Sequence, residues 1–404
     1  ISMLIKNNNH MKTIHIIIAS IIFIFFSCNK DDNNDTNHDI VITAKQKEII
    51  QSSNRFGFEI FKEINTADNN ENNLFISPLS ISMALGMTLN GASGETEDAM
   101  KSTLGFENMD KESINDAYLG LSSSLLEADP KVNFSLANSI WYRLGFPVLQ
   151  PFIDTNKEHF DAEVEELDFS RSDAVDIING WIADKTNDKI KDVIKEISAE
   201  TVMFLINAIY FKGTWKYEFD EAKTENNTFS THENMEVQAP TMQQQALFNY
   251  YANDLFQCVE LPYGDEKFNM LLFLPKEGKN SNDIIDEMND ENWDEWTGSL
   301  AKSDSIVLYL PKFKVEYFKK LKESLTNMGM GIAFTDMADF SNMTPASVLI
   351  SEVIHKSFVE VNEEGTEAAA VTVVVIEYTS AGDETKIELR FNKPFVFAIY
   401  EKNT

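Results

Sequence analysis

Residues 363–380 read EEGTEAAAVTVVVIEYTS, and the two ends of the stretch ask for opposite surroundings. Two carboxylates, a glycine and an alanine run lead into six nearly uninterrupted β-formers, Val371 to Ile376. Such a run belongs inside a sheet. Yet it continues into Glu377-Tyr378-Thr379-Ser380-Ala381-Gly382-Asp383, which is the chemistry of an exposed loop. The segment is built to be a buried strand and flanked as a surface loop.

On either side of it the chain is rich in strand candidates. TVMFLINAIYFKG, FNMLLFLPK, SIVLYLPKF and FVEVNEEG are apolar on one or both faces, and FNKPFVFAIYEK breaks at Pro394 and resumes as an apolar run. The first half reads differently. Ile49, Phe56, Ile60, Phe61 and Ile64 recur at helical steps behind Thr43, a residue placed as a cap. NNLFISPLSISMALGMTLNGASGETEDAMKSTLG predicts a short strand, a Ser-Pro break and a helix from Ile81 to Leu89. A glycine turn and a second helix follow. INGWIADKTNDKIKDVI predicts another helix, with Ile178, Ile182 and Ile190 as its buried stripe. Helices crowd the first half and strands the second, without βαβ alternation, so the fold class is α+β. No internal repeat or Gly/Pro-rich linker divides the chain from residue 45 onward, which predicts one large domain.

Of 404 residues, 43% are hydrophobic and 29 are Phe, enough for a large core. The balance of 34 basic against 65 acidic residues, or −31, repels nucleic acid and anionic lipid headgroups, so neither is expected as a general partner. Two cysteines occur, Cys28 and Cys258. Cys28 ends MKTIHIIIASIIFIFFSC: a short basic start, an apolar run from Ile14 to Phe26, then Ser27-Cys28. That run is short for a bilayer span and fits a secretory signal, with an uncleaved anchor as the alternative. Ser27-Cys28 resembles the lipobox of bacterial lipoproteins, with Phe25 in place of the usual leucine. The expected organisation is upstream residues and signal over 1–27, a polar Asn/Asp-rich tether over 28–44, and the domain over 45–404. Residues 1–10 read as untranslated sequence before Met11. Lipidation of Cys28 would anchor the protein to the outer membrane, facing outward. Cys258, in LFQCVELPY, reads as a buried small hydrophobe, and no disulfide is expected.

A search for catalysis finds little. NGASGET misses the Gly-x-Ser-x-Gly spacing of a nucleophile elbow. The six histidines include no His-x-x-x-His pair, and no phosphate cradle appears, so no metal and no cofactor are expected. Pairs such as Glu165-Glu166 are unsurprising among 65 carboxylates. The chain does not read as an enzyme.

EEGTEAAA, the β-branched run, a variable loop and FNKPFVF together resemble the hinge and reactive-centre loop of the serpins. NLFISPLSISMALGMTLNGASGET (73–96), LANSIW (136–141), INGWIADKTNDKI (178–190), INAIYFKGTWKYEFD (206–220) and LYLPKFKVE (308–316) resemble the family's other landmarks, in the family's order. The resemblance implies three sheets, eight or nine helices, a metastable native state and an exposed loop that baits a protease. In an inhibitory serpin, cleavage frees the strand-like half, which inserts into the main sheet and drags the acylated protease with it. The hinge would be Glu363, Glu364, Gly365, Thr366, Glu367, Ala368, Ala369, Ala370, Val371 and Thr372. With insertion starting at Thr366, one face holds Thr366, Ala368, Ala370, Thr372, Val374 and Ile376, all small or β-branched. The other holds Glu367, Ala369, Val371, Val373, Val375 and Glu377, with its charges kept near the surface.

Counting from the hinge as the family does puts the reactive bond at Thr379–Ser380, with Tyr378–Thr379 as the neighbouring choice. The segment from Thr366 to Thr379 would span roughly 46 Å as a strand, at about 3.3 Å per residue. Thr379 suits an elastase-like protease and Tyr378 a chymotrypsin-like one. By match, Ser77, Ser80, Asn207 and His355 resemble the polar shutter beneath the sheet, where strands part, and Trp215 resembles the tryptophan of the breach, where the loop first enters. Heparin-binding helix faces have no counterpart, and a monomer is expected. The family continues beyond FAIYEKNT to one more core strand, so the resemblance implies either a truncated sequence or a member that lacks that strand.

Overall fold

The structure, a computed structural model, describes residues 42–68, 73–303, 305–366 and 387–404. Six helices come first: α1 (Ala44–Ala67), α2 (Pro78–Leu89), α3 (Gly94–Leu104), α4 (Lys111–Glu127), α5 (Gln150–Phe160) and α6 (Ala174–Lys185). Two strands are set among them, β1 (Val132–Arg143) and β2 (Glu163–Leu167). Then come β3 (Met203–Thr214), β4 (Glu225–Ser230), β5 (Glu236–Ala246), β6 (Asn249–Ala252), β7 (Phe256–Pro262) and β8 (Phe268–Pro275). Helices α7 (Ser281–Glu287) and α8 (Asp290–Gly298) precede β9 (Ala301–Lys302), β10 (Ile306–Pro311) and β11 (Phe313–Lys320). After the short α9 (Lys322–Leu325) the chain closes with β12 (Ile354–Val361), β13 (Gly365–Thr366), β14 (Ile387–Arg390) and β15 (Val396–Glu401).

The expected α+β class with three sheets is what forms. Among the described residues six strands make the main sheet in the order β11-β12-β13-β3-β1-β2, four make a second (β14-β10-β5-β4), and five a third (β15-β8-β7-β6-β9). One core packs helices α1 to α5 against the main sheet, through residues such as Ile60, Met83, Met100, Tyr118 and Ile140. Another joins all three sheets through Val361, Leu310, Leu389, Val259 and Leu272. Every residue of β8 is buried, as expected of a strand between layers.

Thr43 caps α1 as the sequence predicts. Its hydroxyl accepts from Gln46 N while the Gln46 side chain accepts from Thr43 N. Two local expectations change. Residues 73–77 form no strand; they run in extended to Ser77, the cap of α2, and the Ser77 amide is committed to a side chain on β12. The helix expected to carry Ile178, Ile182 and Ile190 on one stripe stops at Lys185. Asn187 and Asp188 adopt left-handed φ of 49° and 62°, a conformation short polar side chains tolerate. Ile190 still reaches the same core as Ile178 and Ile182, but from a turn.

The main sheet has one irregularity. Among the described residues β3 and β12 do not pair with each other; they are joined through β13 alone. Thr366 lies opposite Val361 on one side and Gly213 on the other, and Gly365 opposite Thr214, all antiparallel.

Candidate functional site

The stretch 363–380 begins where those two strands are bridged. Asn362 folds the chain back: its side-chain oxygen accepts from the Glu364 and Gly365 amides, and its own amide donates to Gly365 O. Gly365 sits at φ 153°, and a Cβ there would lie 2.1 Å from Gly213 O. Only glycine fits so close to a neighbouring strand's carbonyl. The turn's carbonyls are all taken: Asn362 O by the Trp215 indole N–H (3.0 Å), Glu363 O by Phe219 N and Glu364 O by Trp215 N (both 2.8 Å).

Glu363 is 5% exposed. Thr224 Oγ1 donates to one of its carboxylate oxygens at 2.8 Å, and Lys312 Nζ lies 2.6 Å from the other. Burial pushes its pKa up, but the hydrogen bonds from Lys312 and Thr224 outweigh that and hold it below the usual carboxylate range. Thr366 is 3% exposed, its hydroxyl 2.6 Å from Tyr263 OH. The Tyr263 ring stacks on Trp215 with centroids 4.4 Å apart, so Trp215 belongs both to the core and to the seat of the hinge.

Further along the same two strands lies a polar cluster beneath the sheet. His355 of β12 is 4% exposed, and burial lowers its pKa to about 4, so the ring is neutral at physiological pH. Its Nε2 accepts from Ser77 N at 3.2 Å, which places the ring proton on Nδ1. Ser77 Oγ accepts from Ser80 N, and Ser80 Oγ reaches Asn207 O at 3.5 Å. On β3, Asn207 donates to Asn138 Oδ1 (2.8 Å), and Asn138 donates to Phe160 O (2.6 Å). The Asn207 side-chain oxygen is buried and has no partner among the described residues. The expected four residues therefore do gather, but the His355 bond runs down from β12 to the cap of α2 rather than across to β3.

Glu363, Glu364, Gly365 and Thr366 of the expected hinge are placed. Glu367, Ala368, Ala369, Ala370, Val371 and Thr372, the bonds around Tyr378, Thr379 and Ser380, and Cys28 lie outside the described residues. Reading the sequence missed Asn138, Tyr263, Thr224, Phe219, Lys312 and Asn362. LANSIW, LYLPKFKVE and INAIYFKGTWKYEFD contain three of them, but nothing local marks the six as partners of residues up to 147 positions away. Cys258 is buried as expected, and its thiol is pushed up to about 12. Among the described residues no helix is long and apolar enough to cross a membrane.

Among the described residues β3 and β12 are joined by β13, and the strand-forming sequence of 363–380 starts at that junction. A family model described as serpin (serine protease inhibitor) matches residues 51–404. A serpin-like protein of Thermococcus kodakarensis is 35% identical over 385 residues, covering 91% of this chain and 86% of the relative. The native structure of the thermophilic serpin Tengpin superposes with TM-score 0.78 at 30% identity, covering 90% of this chain and 92% of that one. Human thyroxine-binding globulin complexed with thyroxine superposes with TM-score 0.80 at 27% identity, covering 89% and 95%. The chain belongs to the serpin family.

Proposed function

We propose that this chain is an inhibitory serpin: a protease cleaves the loop near Thr379–Ser380, and the freed segment inserts between β3 and β12 before the acyl-enzyme can hydrolyse. The observation that carries this reading is the register of β13. Continued six residues, the antiparallel pairing of Thr366 with Gly213 and Val361 brings Thr372 between Asn207 and His355. That offset keeps Thr372 on the inward face. A hydroxyl there would meet the Asn207 oxygen that otherwise has no partner. The other inward positions, Ala368, Ala370, Val374 and Ile376, are small or β-branched and uncharged, as a strand buried against α2 requires. Serine proteases of elastase-like or chymotrypsin-like preference are the proposed targets, with cysteine proteases as the alternative class, and a lipid on Cys28 would hold the inhibitor at the cell surface.

Incubation of the domain with pancreatic elastase and with chymotrypsin tests this. A complex that survives denaturation, with the small fragment starting at Ser380 or Thr379, is the expected result. Clean cleavage with no complex and no gain in heat stability would refute it. The likeness to thyroxine-binding globulin supports a second reading, a carrier with a cleavable loop. Cleavage-sensitive binding of a small apolar ligand, without a covalent complex, would favour that one.

A further inference from the structure

We propose that Tyr263 is a positioning residue for loop insertion: its hydroxyl seats Thr366, the first inserting residue, between β3 and β12. The proposal rests on the inhibitory reading above. Tyr263 follows β7 in a different sheet, yet its hydroxyl meets Thr366 at 2.6 Å. Its ring is held on two sides, stacked on Trp215 (4.4 Å, 13° between planes) and edge-on to Phe211 (5.2 Å). It also needs Gly213, since a Cβ there would lie 2.6 Å from the ring. The end of β3, with Phe211 and Gly213, and Trp215 just after it thus make room for one phenol and fix where its oxygen points.

That oxygen matters because Thr366 is where a strand laid between β3 and β12 has to begin. Among the described residues β13 comprises Gly365 and Thr366, which pair with Gly213, Thr214 and Val361. Fixing the first residues of a new strand costs backbone entropy before the ladder repays it. One hydrogen bond between two buried hydroxyls helps to offset that cost at the first residue. A less populated nucleus slows insertion, and the acyl-enzyme then partitions toward hydrolysis.

The experiment measures moles of inhibitor consumed per mole of protease trapped, for wild type, Tyr263→Phe, Thr366→Val, Thr366→Ser and the Phe/Val double variant. The excess over one rises by roughly three- to tenfold in Tyr263→Phe and in Thr366→Val, the range expected for one buried hydrogen bond. Thr366→Ser, which keeps the hydroxyl, stays near wild type, and the double variant is no worse than either single one. A merely structural tyrosine would lower thermal stability without moving this ratio. An unmoved ratio, or additive effects in the double variant, overturns the proposal.

A wild type that traps no protease would instead sink the inhibitory reading. The seat would then be tested by nicking the loop and timing the gain in heat stability, expected to slow by the same factor in Tyr263→Phe. Equal rates, or no gain in either protein, would overturn it.

Discussion

Replacing Lys312 with methionine should loosen the turn that carries the hinge, by an amount the geometry allows one to state. The methionine keeps most of the aliphatic stem and removes the ammonium 2.6 Å from Glu363. Glu363's side chain is 6% exposed and Lys312's 39%, so the carboxylate cannot turn to water while part of the lysine already meets it. A hydrogen bond to a charged group is worth about 1.5–3 kcal/mol, and partial exposure of one partner favours the lower half of that range, about 2 kcal/mol.

The pH dependence follows from the depressed pKa of Glu363. Its contribution is fully present above the ordinary value of 4.5 and is lost as pH falls through the lower folded-state value. Urea unfolding followed by tryptophan fluorescence should show Lys312→Met destabilised at pH 7, with the gap to wild type closing below pH 4.5. A cycle with Glu363→Gln should give coupling of comparable size. A gap that persists unchanged at low pH, or strictly additive single effects, would refute the reasoning.

Three further outcomes follow from the same region. His355 stays neutral in the fold down to about pH 4, against 6.5 when unfolded. Stability should therefore fall, by up to a few kcal/mol, as pH drops from 6.5 to 4, and His355→Gln should flatten that fall in urea midpoints measured across the range. Gly365→Ala puts a methyl against Gly213 O, so the turn should be displaced; the shift is read as altered Trp215 fluorescence and a raised inhibitor-to-protease ratio. Thr372→Val should leave the uncleaved protein's unfolding midpoint within about 0.5 kcal/mol and lower the stability of the cleaved form by about 1–2 kcal/mol, measured on both forms in parallel.

Much of the fold was legible because strong local patterns coincide with real elements. The runs that became β3, β8, β10, β12 and β15 are apolar and bounded by loop residues, and Thr43 announces α1 by its cap. What failed did so for local reasons. The stripe through Ile178, Ile182 and Ile190 has helical spacing, but burial of Ile190 comes from a turn that spacing cannot reveal. The extended segment 73–77 spends the Ser77 amide on His355, a partner 278 positions later, instead of on a ladder. The hinge residues were readable because glycine, small residues and alternation are written in consecutive positions. Their holders were not: Tyr263, Thr224 and Lys312 come from different strands or connections, and although Lys312 lies within LYLPKFKVE nothing there names its partner, so only the folded chain shows them meeting one turn.

Cys258 has a further use. It lies in β7, wholly buried, with a thiol that is almost entirely protonated near neutrality. A thiol so placed reacts with a reagent only in molecules whose third sheet has momentarily opened. Its modification rate is thus a built-in clock for breathing of that sheet. Timed before and after the loop is cut, that clock would report whether insertion on one side of the molecule stiffens strands that take no part in it.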